Sequence, residues 1–449
     1  MPTPDPATDP ATHSADATAQ TIAAIWRIES AKVVAHVARI TRDLELAEDC
    51  AQDALVAALE HWPELGLPER PGAWLMTAAK RRALDHLRHE KLAEPRHTQL
   101  GHELDIQRDI AVREFSEMVD AQLDDDIGDE LLRLIFTACH PVLAPEARSA
   151  LTLRVIGGLS TSEIASAYLK PEPTIAQRIV RAKRSLAAAR VPFEVPRGRE
   201  LAPRLASVLE VLYLMFNEGY AASAGPEWMR PALCEEALRL ARALAARLPG
   251  ESEVHGLQAL MELQASRLAA RADARGDPIL LAEQGRGRWD RLLIRRGLAA
   301  LDRAHSSGAA PGSYALQAAI AACHARAADF AGTDWLRIAA LYDALLQVSP
   351  SPVVALNRAV AVGMAYGPAA ALELVDALRA APELVGYHLL PAVRGDLLEK
   401  MGEGRAARAE FERAADLAGN ARERALLQAR ARKCHATGAS AAPVVSPGR

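Results

Sequence analysis

LSTSEIASAYLKPEPTIAQRIVRAKRSL, residues Leu159–Leu186, has the sharpest helical pattern of this chain. Ser160 is placed to cap a short helix, with Glu163 as its capping-box partner three residues later. The Lys-Pro-Glu turn at 170–172 ends that helix, and Pro173 suits the start of a second one. Apolar residues of the second helix form one stripe of Ile175, Ile179, Ala182 and Leu186. The stretch predicts two helices joined by a tight turn, a helix-turn-helix.

The polar side of the second predicted helix has the residue types that bind nucleic acid. The candidate DNA-contacting residues are Thr174, Gln177, Arg178, Arg181, Lys183 and Arg184. From Pro173 to Arg199 seven Lys or Arg residues stand against one acidic residue, Glu194, which predicts a salt-dependent attraction to DNA. The second helix of such a motif enters the major groove, where these side chains reach base edges and phosphates. The alternative is a solvated basic face on a hairpin of core helices.

A second group of candidate residues lies upstream, in LAEDCAQDALVAALEHW at residues 46–62. At helical spacing its polar residues cluster on one side, opposite an Ala-rich apolar side; they are Glu48, Asp49, Gln52 and Asp53. An acidic helical patch suits a protein partner better than DNA.

The next segment, PGAWLMTAAKRRALDHLRHEK at residues 71–91, predicts a basic helix that follows an irregular loop. Its candidate residues are Trp74, Lys80, Arg81, Arg82 and Arg88. A basic helix of this kind can hold a DNA strand and receive unstacked bases. By composition alone, a solvated face is the alternative for both upstream helices.

The composition of the whole chain favours a soluble helical protein without catalytic or metal chemistry. The chain has 449 residues, a formal net charge of -4 and only 4% aromatic residues, with Ala, Leu, Arg and Glu abundant. Five widely spaced cysteines without a CxxC pair indicate reduced thiols and no zinc site. We expect no enzyme activity and no cofactor, because nothing resembles a nucleotide loop or a nucleophile elbow. The chain lacks a run of eighteen apolar residues, so we expect a cytoplasmic protein without membrane contact.

The breaks in periodicity predict an all-α fold with several parts. The predicted parts are a disordered tail at 1–20, a helical domain at 21–92, a linker at 93–127, a helix-turn-helix domain at 128–190, a helical-repeat extension at 200–435 and a second disordered tail at 436–449.

The extension has a loose tetratricopeptide pattern, in which small or apolar residues recur at i, i+4 and i+7 with a proline five residues later. One such segment contains Ile338, Tyr342 and Leu345, followed by Pro350. Related segments begin near Ala237, Ala371 and Ala407. Generic amphipathic helices are the alternative interpretation, because Ala is common throughout this chain.

Taken in order, the upstream and helix-turn-helix motifs resemble the sigma-2 and sigma-4 domains of extracytoplasmic-function sigma factors. Ala47–Asp49 with Gln52–Asp53 matches the AED-x-x-Q-[DE] stretch of that family. Trp74–Leu75, Ala79–Lys80, Asp85 and Leu87–Arg88 match its W-L-x-x-x-A-R-N-x-x-x-D-x-L-R pattern, with Arg81 at the usual Asn position. In the second domain Glu163–Ala165, Thr174, Arg178 and Arg181–Ala182 match E-I-A, T-V-x-x-R and R-A.

The resemblance implies a sigma factor that binds core RNA polymerase and promoter DNA. It assigns the acidic patch at 48–53 to the β′ clamp helices, the basic helix at 71–91 to the melted -10 element, and the helix-turn-helix to the -35 element; the β flap is a further expected contact. Two alternatives remain at this point. One is a helix-turn-helix regulator with a repeat sensor that does not bind polymerase, and the other is a hydrolase hidden in the C-terminal half.

The extension resembles that of the sigma factor subgroup with a tetratricopeptide-like C-terminal domain, which implies a part in regulation and an unknown protein or ligand as partner. Two stretches carry this resemblance, LYLMFNEGYAASAG at Leu212–Gly225 and RWDRLLIRRGLAAL at Arg288–Leu301. Nearby residues could line a ligand or partner groove or could simply pack; they are Phe216, Asn217, Glu218, Tyr220, Glu283, Gln284, Arg286, Trp289 and Asp290.

Overall fold

A computed structural model describes residues 10–93, 123–168, 170–222, 227–306, 308 and 310–439. Within these ranges the chain is built from α-helices and short 3₁₀ turns, without a β-strand, which confirms the all-α prediction. The chain divides into two compact units, Met1–Val211 and Leu212–Arg449.

The first unit begins with three helices that pack on one another, α1 (Pro10–Thr41), α2 (Leu44–Leu65) and α3 (Pro71–Ala93). Asp43 caps α2, because its carboxylate accepts hydrogen bonds from the backbone nitrogens of Glu45 and Leu46 at 2.7 and 3.2 Å. The predicted disordered tail at 1–20 is wrong over residues 10–20, which belong to α1. This segment is rich in Ala, the residue with the highest helix propensity. Residues 1–9 lie outside the described residues.

The helix-turn-helix part consists of four helices, α4 (Leu123–Ala138), α5 (Pro145–Val155), α6 (Thr161–Tyr168) and α7 (Glu172–Ala188). The capping box is confirmed: Ser160 N donates to Glu163 Oε2 at 2.7 Å, and Glu163 N donates to Ser160 Oγ at 3.1 Å. The predicted apolar stripe of α7 is also confirmed, because Ile175, Ile179, Ala182 and Leu186 are all buried.

Helix α4 starts earlier than the sequence pattern indicates. Asp124, Asp125 and Asp126 were expected in the linker, but they lie in the first turn of α4. Acidic side chains there are favoured by the partial positive charge of a helix N-terminus. The rest of the predicted linker, residues 94–122, lies outside the described residues.

A buried carboxylate joins the two helical groups of the first unit. Glu130 on α4 is 2% exposed and contacts two basic side chains of α1. Its carboxylate lies 3.2 Å from His36 Nδ1 and 2.5 Å from Arg39 Nε. Burial strengthens such a pair relative to one in water, so α1 and α4 are held in a defined register.

Helix α8 (Leu201–Tyr220) crosses the division between the units, and its first half belongs to the first unit. Arg204 Nη2 donates to the Phe136 carbonyl at 2.8 Å, and Ser207 Oγ donates to the Cys139 carbonyl at 2.5 Å. Ser207 and Glu210 also contact Arg148, with 3.0 Å between Arg148 Nη1 and Glu210 Oε2. The start of α8 therefore satisfies backbone groups at the end of α4.

The second unit continues with ten helices, α9 (Pro231–Arg247), α10 (Ser252–Ala265), α11 (Arg291–Ser306), α12 (Ser313–Arg326), α13 (Trp335–Val348), α14 (Pro352–Tyr366), α15 (Pro368–Ala377), α16 (Leu389–Lys400), α17 (Gly404–Leu417) and α18 (Ala421–Ala439). Consecutive helices pack on one another throughout. Helix α18 extends to Ala439, so residues 436–439 of the predicted tail are helical; residues 440–449 lie outside the described residues.

The residues of the predicted repeat pattern lie on helices and face their cores. Ile338 and Leu345 are buried on α13, Ala371 is buried on α15, and Phe411 is buried on α17. Close packing at one hairpin depends on Gly395, because a Cβ there would lie 2.9 Å from the Phe411 ring.

Asn420 ties the end of the second unit to its beginning. This buried side chain donates through Nδ2 to the Glu227 carbonyl at 2.7 Å, and its Oδ1 accepts from Arg422 N at 3.0 Å as a cap for α18. Arg422 adds an ion pair at 2.7 Å to Asp277. These contacts bond the start of α18 to one segment 193 residues earlier and to another 145 residues earlier.

Candidate nucleic-acid interface

Helix α7 presents one exposed polar face. Thr174, Gln177, Arg178 and Arg181 follow the i, i+3, i+4, i+7 spacing of one helix side, and all are exposed or half-buried. They line a groove with the loop 142–144 and the first turn of α5, which contributes the acidic side chain of Glu146. Two guanidiniums, a hydroxyl and an amide converge there, which is the side-chain chemistry that binds base edges and phosphates.

The two other candidates on α7 lie in different places. Arg184 is exposed and follows Gln177 by seven residues, so it extends the same face. Lys183 follows Thr174 by nine residues, about two and a half turns, and therefore lies on the opposite side of α7. Its side chain is 10% exposed, and Nζ is 2.7 Å from Glu48 Oε2. The structure does not bring Lys183 together with the other five candidates.

Glu48 occupies the same contact from the side of α2. It is 6% exposed, and its Oε1 accepts from Arg154 Nε at 2.5 Å while its Oε2 pairs with Lys183. Gln52 Nε2 donates to Glu48 Oε1 at 3.3 Å. One carboxylate of the acidic patch is therefore neutralised by two cations of the helix-turn-helix part.

Asp49 and Asp53 of the same patch are exposed. Partial burial is the main cause of a raised pKa at Asp49, with Lys183 acting in the opposite direction. Asp53 lies 3.3 Å from Arg82 in an exposed pair of the kind that contributes little to stability.

Sequence reasoning missed Val56, which lies seven residues after Asp49 on the same face and is 51% exposed. Its i+7 spacing from Asp49 is the signal that identifies it. An apolar side chain among carboxylates on an exposed helix face suits a protein partner.

The basic helix α3 is anchored by its apolar side. Leu75 and Ala79 are buried, and the Trp74 ring packs edge-on against Trp62 at a centroid distance of 5.4 Å. The cationic candidates Arg81, Arg82 and Arg88 are exposed and Lys80 is half-buried. Arg88 lies 3.5 Å from Asp85. Packing thus fixes Trp74 at the base of a helix whose outer side is cationic.

The described residues contain no cluster of three or more His, Cys, Asp or Glu side chains arranged to hold a metal ion. All five cysteines are buried free thiols. Burial raises the pKa of Cys139 to about 11 and that of Cys234 to about 12. No helix in the described ranges is both long and apolar enough to cross a membrane.

The candidate residues of the extension separate into different roles. Asp290 caps α11, because its Oδ1 accepts from Leu292 N at 2.8 Å. Phe216 and Trp289 are buried, in agreement with the packing alternative, and Phe216 stacks on Tyr220 at 5.8 Å. Glu218 forms an ion pair with Arg230. The remaining candidates are Asn217, Glu283, Gln284 and Arg286, of which Gln284 and Arg286 are buried.

Comparison with known proteins identifies three regions of the chain. Residues 26–92 match the family Sigma-70 region 2, and residues 133–186 match Sigma-70, region 4. Residues 204–305 match a family of unknown function, DUF6596. No solved structure matches the chain significantly.

An uncharacterized protein of Rhizobium meliloti (strain 1021) is 44% identical over 390 residues, 87% of this chain and 90% of that protein. ECF RNA polymerase sigma factor SigL of Mycobacterium tuberculosis is 25% identical over 38% of this chain and 90% of its own length. ECF RNA polymerase sigma factor SigK of Mycobacterium ulcerans is 29% identical over 34% of this chain and 78% of its own length. Sigma-70 regions of this kind bind core RNA polymerase and promoter DNA, and their families are not enzyme families. The chain belongs to the extracytoplasmic-function sigma factors of the sigma-70 family, with a C-terminal extension that contains the DUF6596 region.

Proposed function

We propose that the three exposed helix faces of the first unit divide the work of promoter recognition. The acidic face of α2, with Asp49, Gln52 and Asp53, binds the clamp helices of the β′ subunit. The cationic side of α3 and Trp74 engage the melted -10 element. Helix α7 reads the -35 element, and its domain also contacts the β flap.

The observation that carries this proposal is the exposed face of α7. Thr174, Gln177 and Arg178 lie on one side of a helix whose opposite stripe is buried, so the fold itself holds these side chains outward. Gln and Arg can each make two parallel hydrogen bonds to a base edge, which gives sequence discrimination. Arg181 and Arg184 add phosphate contacts whose strength depends on salt.

The contact of Glu48 with Arg154 and Lys183 describes a closed form of the first unit. In this form one carboxylate of the acidic face is buried against the helix-turn-helix part. We propose that binding to polymerase separates α2 from α7 and exchanges these ion pairs for contacts with the enzyme. Charge complementarity makes such an exchange inexpensive, since each group gains a new partner.

We further propose that the extension modulates the activity of the sigma regions through a protein or ligand partner. Buried arginines of the second unit, Arg271 and Arg286, support a binding role. The sigma factor acts where core polymerase is found, in the cytoplasm, and performs no covalent chemistry of its own.

Transcription in vitro with core polymerase tests the proposal. The double variant Asp49→Lys/Asp53→Lys should bind core polymerase at least about tenfold more weakly, a loss of about 1.4 kcal/mol, and should lose promoter-specific transcripts. Glu373→Lys, an exposed charge reversal in the extension, is the matched control and should behave as wild type. Binding of a -35 duplex without polymerase should be unchanged in both variants. Wild-type polymerase binding by the double variant would show that this face of α2 is not the contact.

A further inference from the structure

Guanidinium groups and aromatic rings alternate in the second unit. Arg271 Cζ lies 3.5 Å from the centroid of the Tyr220 ring and 4.3 Å from that of Trp228. Arg267 Cζ lies 5.8 Å from the Tyr220 centroid and 5.5 Å from that of Trp289. Arg286 Cζ lies 4.0 Å from the Trp289 centroid. We call these six residues the arginine–aromatic cluster: Arg267, Arg271, Arg286, Tyr220, Trp228 and Trp289.

The cluster contains three positive charges without a direct counterion. Among the described residues, no carboxylate lies within 4.0 Å of any of its arginines. The acidic residues that act on them from farther away are Asp329 and Glu423. Both are engaged elsewhere, since Asp329 Oδ1 accepts from the Gly332 nitrogen at 2.7 Å and Glu423 lies 3.0 Å from His388.

Two of these charges are also removed from water, while Arg267 is half-buried. Arg271 is 6% exposed and Arg286 is 9% exposed. Burial is the largest cause of a pKa of about 10 at Arg271, well below the usual value for an arginine. A buried charge ordinarily has an ionic or hydrogen-bonding partner, because its desolvation is otherwise costly.

Several buried hydrogen-bonding nitrogens of this region have no partner in the described part of the chain. Arg286 Nη1 donates to the His324 carbonyl at 2.9 Å, but Arg286 Nε and Nη2 are buried without an acceptor. Arg267 Nε, Trp289 Nε1 and His324 Nδ1 are also buried and have no hydrogen-bond partner among the described residues. Leaving such a group unsatisfied destabilises the folded state, and more so when the group is charged.

Stacking explains the orientation of the arginines but not their unmatched charge and donors. Cation–π contacts use the faces of the rings and leave the N–H groups at the edge of each guanidinium for hydrogen bonds. Arg267 Nη2 donates one to the Tyr220 hydroxyl and Arg271 Nη1 donates one to the Tyr220 carbonyl, which leaves the buried nitrogens named above unmatched. A group that satisfies these N–H donors must accept several hydrogen bonds and must be negatively charged. Phosphate and carboxylate oxygens meet both conditions, and the planar fork of Arg fits them in two parallel hydrogen bonds.

We propose that the arginine–aromatic cluster is the binding site for the oxyanion group of a small molecule, a phosphate or a carboxylate. Arg286 and Arg267 supply charged donors, and Trp289 Nε1 supplies a neutral donor beside them. Burial of the cluster favours a small molecule over the side chain of a protein partner. The site gives the proposed modulation by the extension a chemical class of signal, and only its effect on transcription rests on that proposed function.

Thermal denaturation of the full-length protein tests the site, with inorganic phosphate and succinate as probes and sodium chloride at equal ionic strength as reference. We expect the melting temperature of the second unit to rise with phosphate or succinate beyond the chloride reference, because a ligand that binds the folded state stabilises it. Titration calorimetry with the same probe gives the affinity. A response to phosphate alone identifies a phosphate site, and a response to succinate alone identifies a carboxylate site.

Arg286→Gln should weaken binding of the effective probe at least tenfold. Arg275→Gln is the matched control, because this exposed arginine lies in the same connecting segment and its side chain is outside the cluster. If Arg286→Gln fails to fold by circular dichroism, Arg267→Gln and Arg286→Lys replace it, with tryptophan fluorescence as the second readout.

The proposal is wrong if phosphate and succinate raise the melting temperature of the wild type no more than sodium chloride does at equal ionic strength. Equal probe affinity in Arg286→Gln and Arg275→Gln would also overturn it, since the charge would then act non-specifically. The assay contains neither polymerase nor DNA, so its failure is distinct from a failure of the sigma factor function, which is measured by transcripts.

Discussion

We expect single side chains on α7 to determine how this sigma factor discriminates between DNA sequences. Arg178 lies in the middle of the exposed face, between Thr174 and Arg181, and lines the groove with them. We expect Arg178→Ala to cost roughly 1–3 kcal/mol of discrimination if the guanidinium reads a base. Fluorescence anisotropy measures this, with a duplex selected by the wild-type protein from a random pool and a scrambled duplex for comparison.

Arg190→Ala is the control for Arg178→Ala, because Arg190 is exposed and lies beyond the end of α7. It should lower affinity for both duplexes slightly and equally. An equal loss on both duplexes for Arg178→Ala as well would assign Arg178 to a phosphate.

Local residue chemistry was predictable where partners are close in sequence. The Ser160–Glu163 capping box involves residues three apart, and its two hydrogen bonds follow from helix geometry alone. The burial of Glu48 was not predictable, because its partners Arg154 and Lys183 are brought to it by tertiary packing. The roles of the site residues in binding DNA and polymerase remain predictions.

At the level of helices, Glu48 of α2 joins the helix-turn-helix part through its ion pairs with Arg154 and Lys183. Glu48→Gln would leave Arg154 and Lys183 partly buried without their shared counterion. We expect this substitution to weaken the packing of α7 on α2 by about 3 kcal/mol, since breaking one partner of a buried ion pair leaves uncompensated charge. Hydrogen exchange with mass spectrometry should then show faster exchange in peptides from both helices.

Asp85→Asn provides the comparison for Glu48→Gln, because it removes an exposed carboxylate that pairs with Arg88. Its effect should stay below about 1 kcal/mol. Slow exchange in both variants would mean that apolar packing alone holds α7 in place.

The helices themselves follow from sequence more closely than their ends do. The stripe of Ile175, Ile179 and Leu186 predicts α7, and the structure buries it as expected. The start of α1 at Pro10 was missed because Pro, Thr and Asp in that segment indicate a tail, while its alanines favour a helix. The start of α4 at Leu123 was missed because the acidic run at residues 124–126 is typical of a linker. Acidic residues are also favoured in the first turn of a helix.

At the scale of the whole chain, the place of truncation decides what an experiment on the extension measures. A chain that ends at residue 200 lacks Arg204 and Ser207, which satisfy the carbonyls of Phe136 and Cys139. We expect its helix-turn-helix part to be less stable by about 2–3 kcal/mol than in a chain that ends at residue 211. Thermal denaturation followed by circular dichroism compares the two.

The chain that ends at residue 211 then tests the role of the extension itself. Transcription from the cognate promoter by the chain ending at 211 should differ from that of the full-length protein. If the chain ending at residue 211 behaves like the full-length protein, in vitro and in cells, the extension has no regulatory role.

Across the whole chain, the order of motifs predicts two sigma regions and the helical periodicity predicts an all-α fold. The all-α fold and the sigma regions are confirmed. The arginine–aromatic cluster was only partly foreseen, as Tyr220, Arg286 and Trp289 among candidate groove residues. Arg267, Arg271 and Trp228 join it through folding, and no short-range pattern announces contacts between segments separated by forty residues or more.

The bonds of Asn420 affect the order in which this protein matures during synthesis. The carbonyls of Ala222 and Glu227 leave the ribosome long before Asn420. The Asn420 side chain later donates hydrogen bonds to both through Nδ2. Domains generally fold as units from the N-terminus while translation continues. The promoter-binding unit can therefore reach its native state on the nascent chain, whereas the Glu227 carbonyl gains its bond to Asn420 only after 193 further residues have been synthesised. A newly made molecule passes through a period in which its sigma regions are complete and its C-terminal unit is still open.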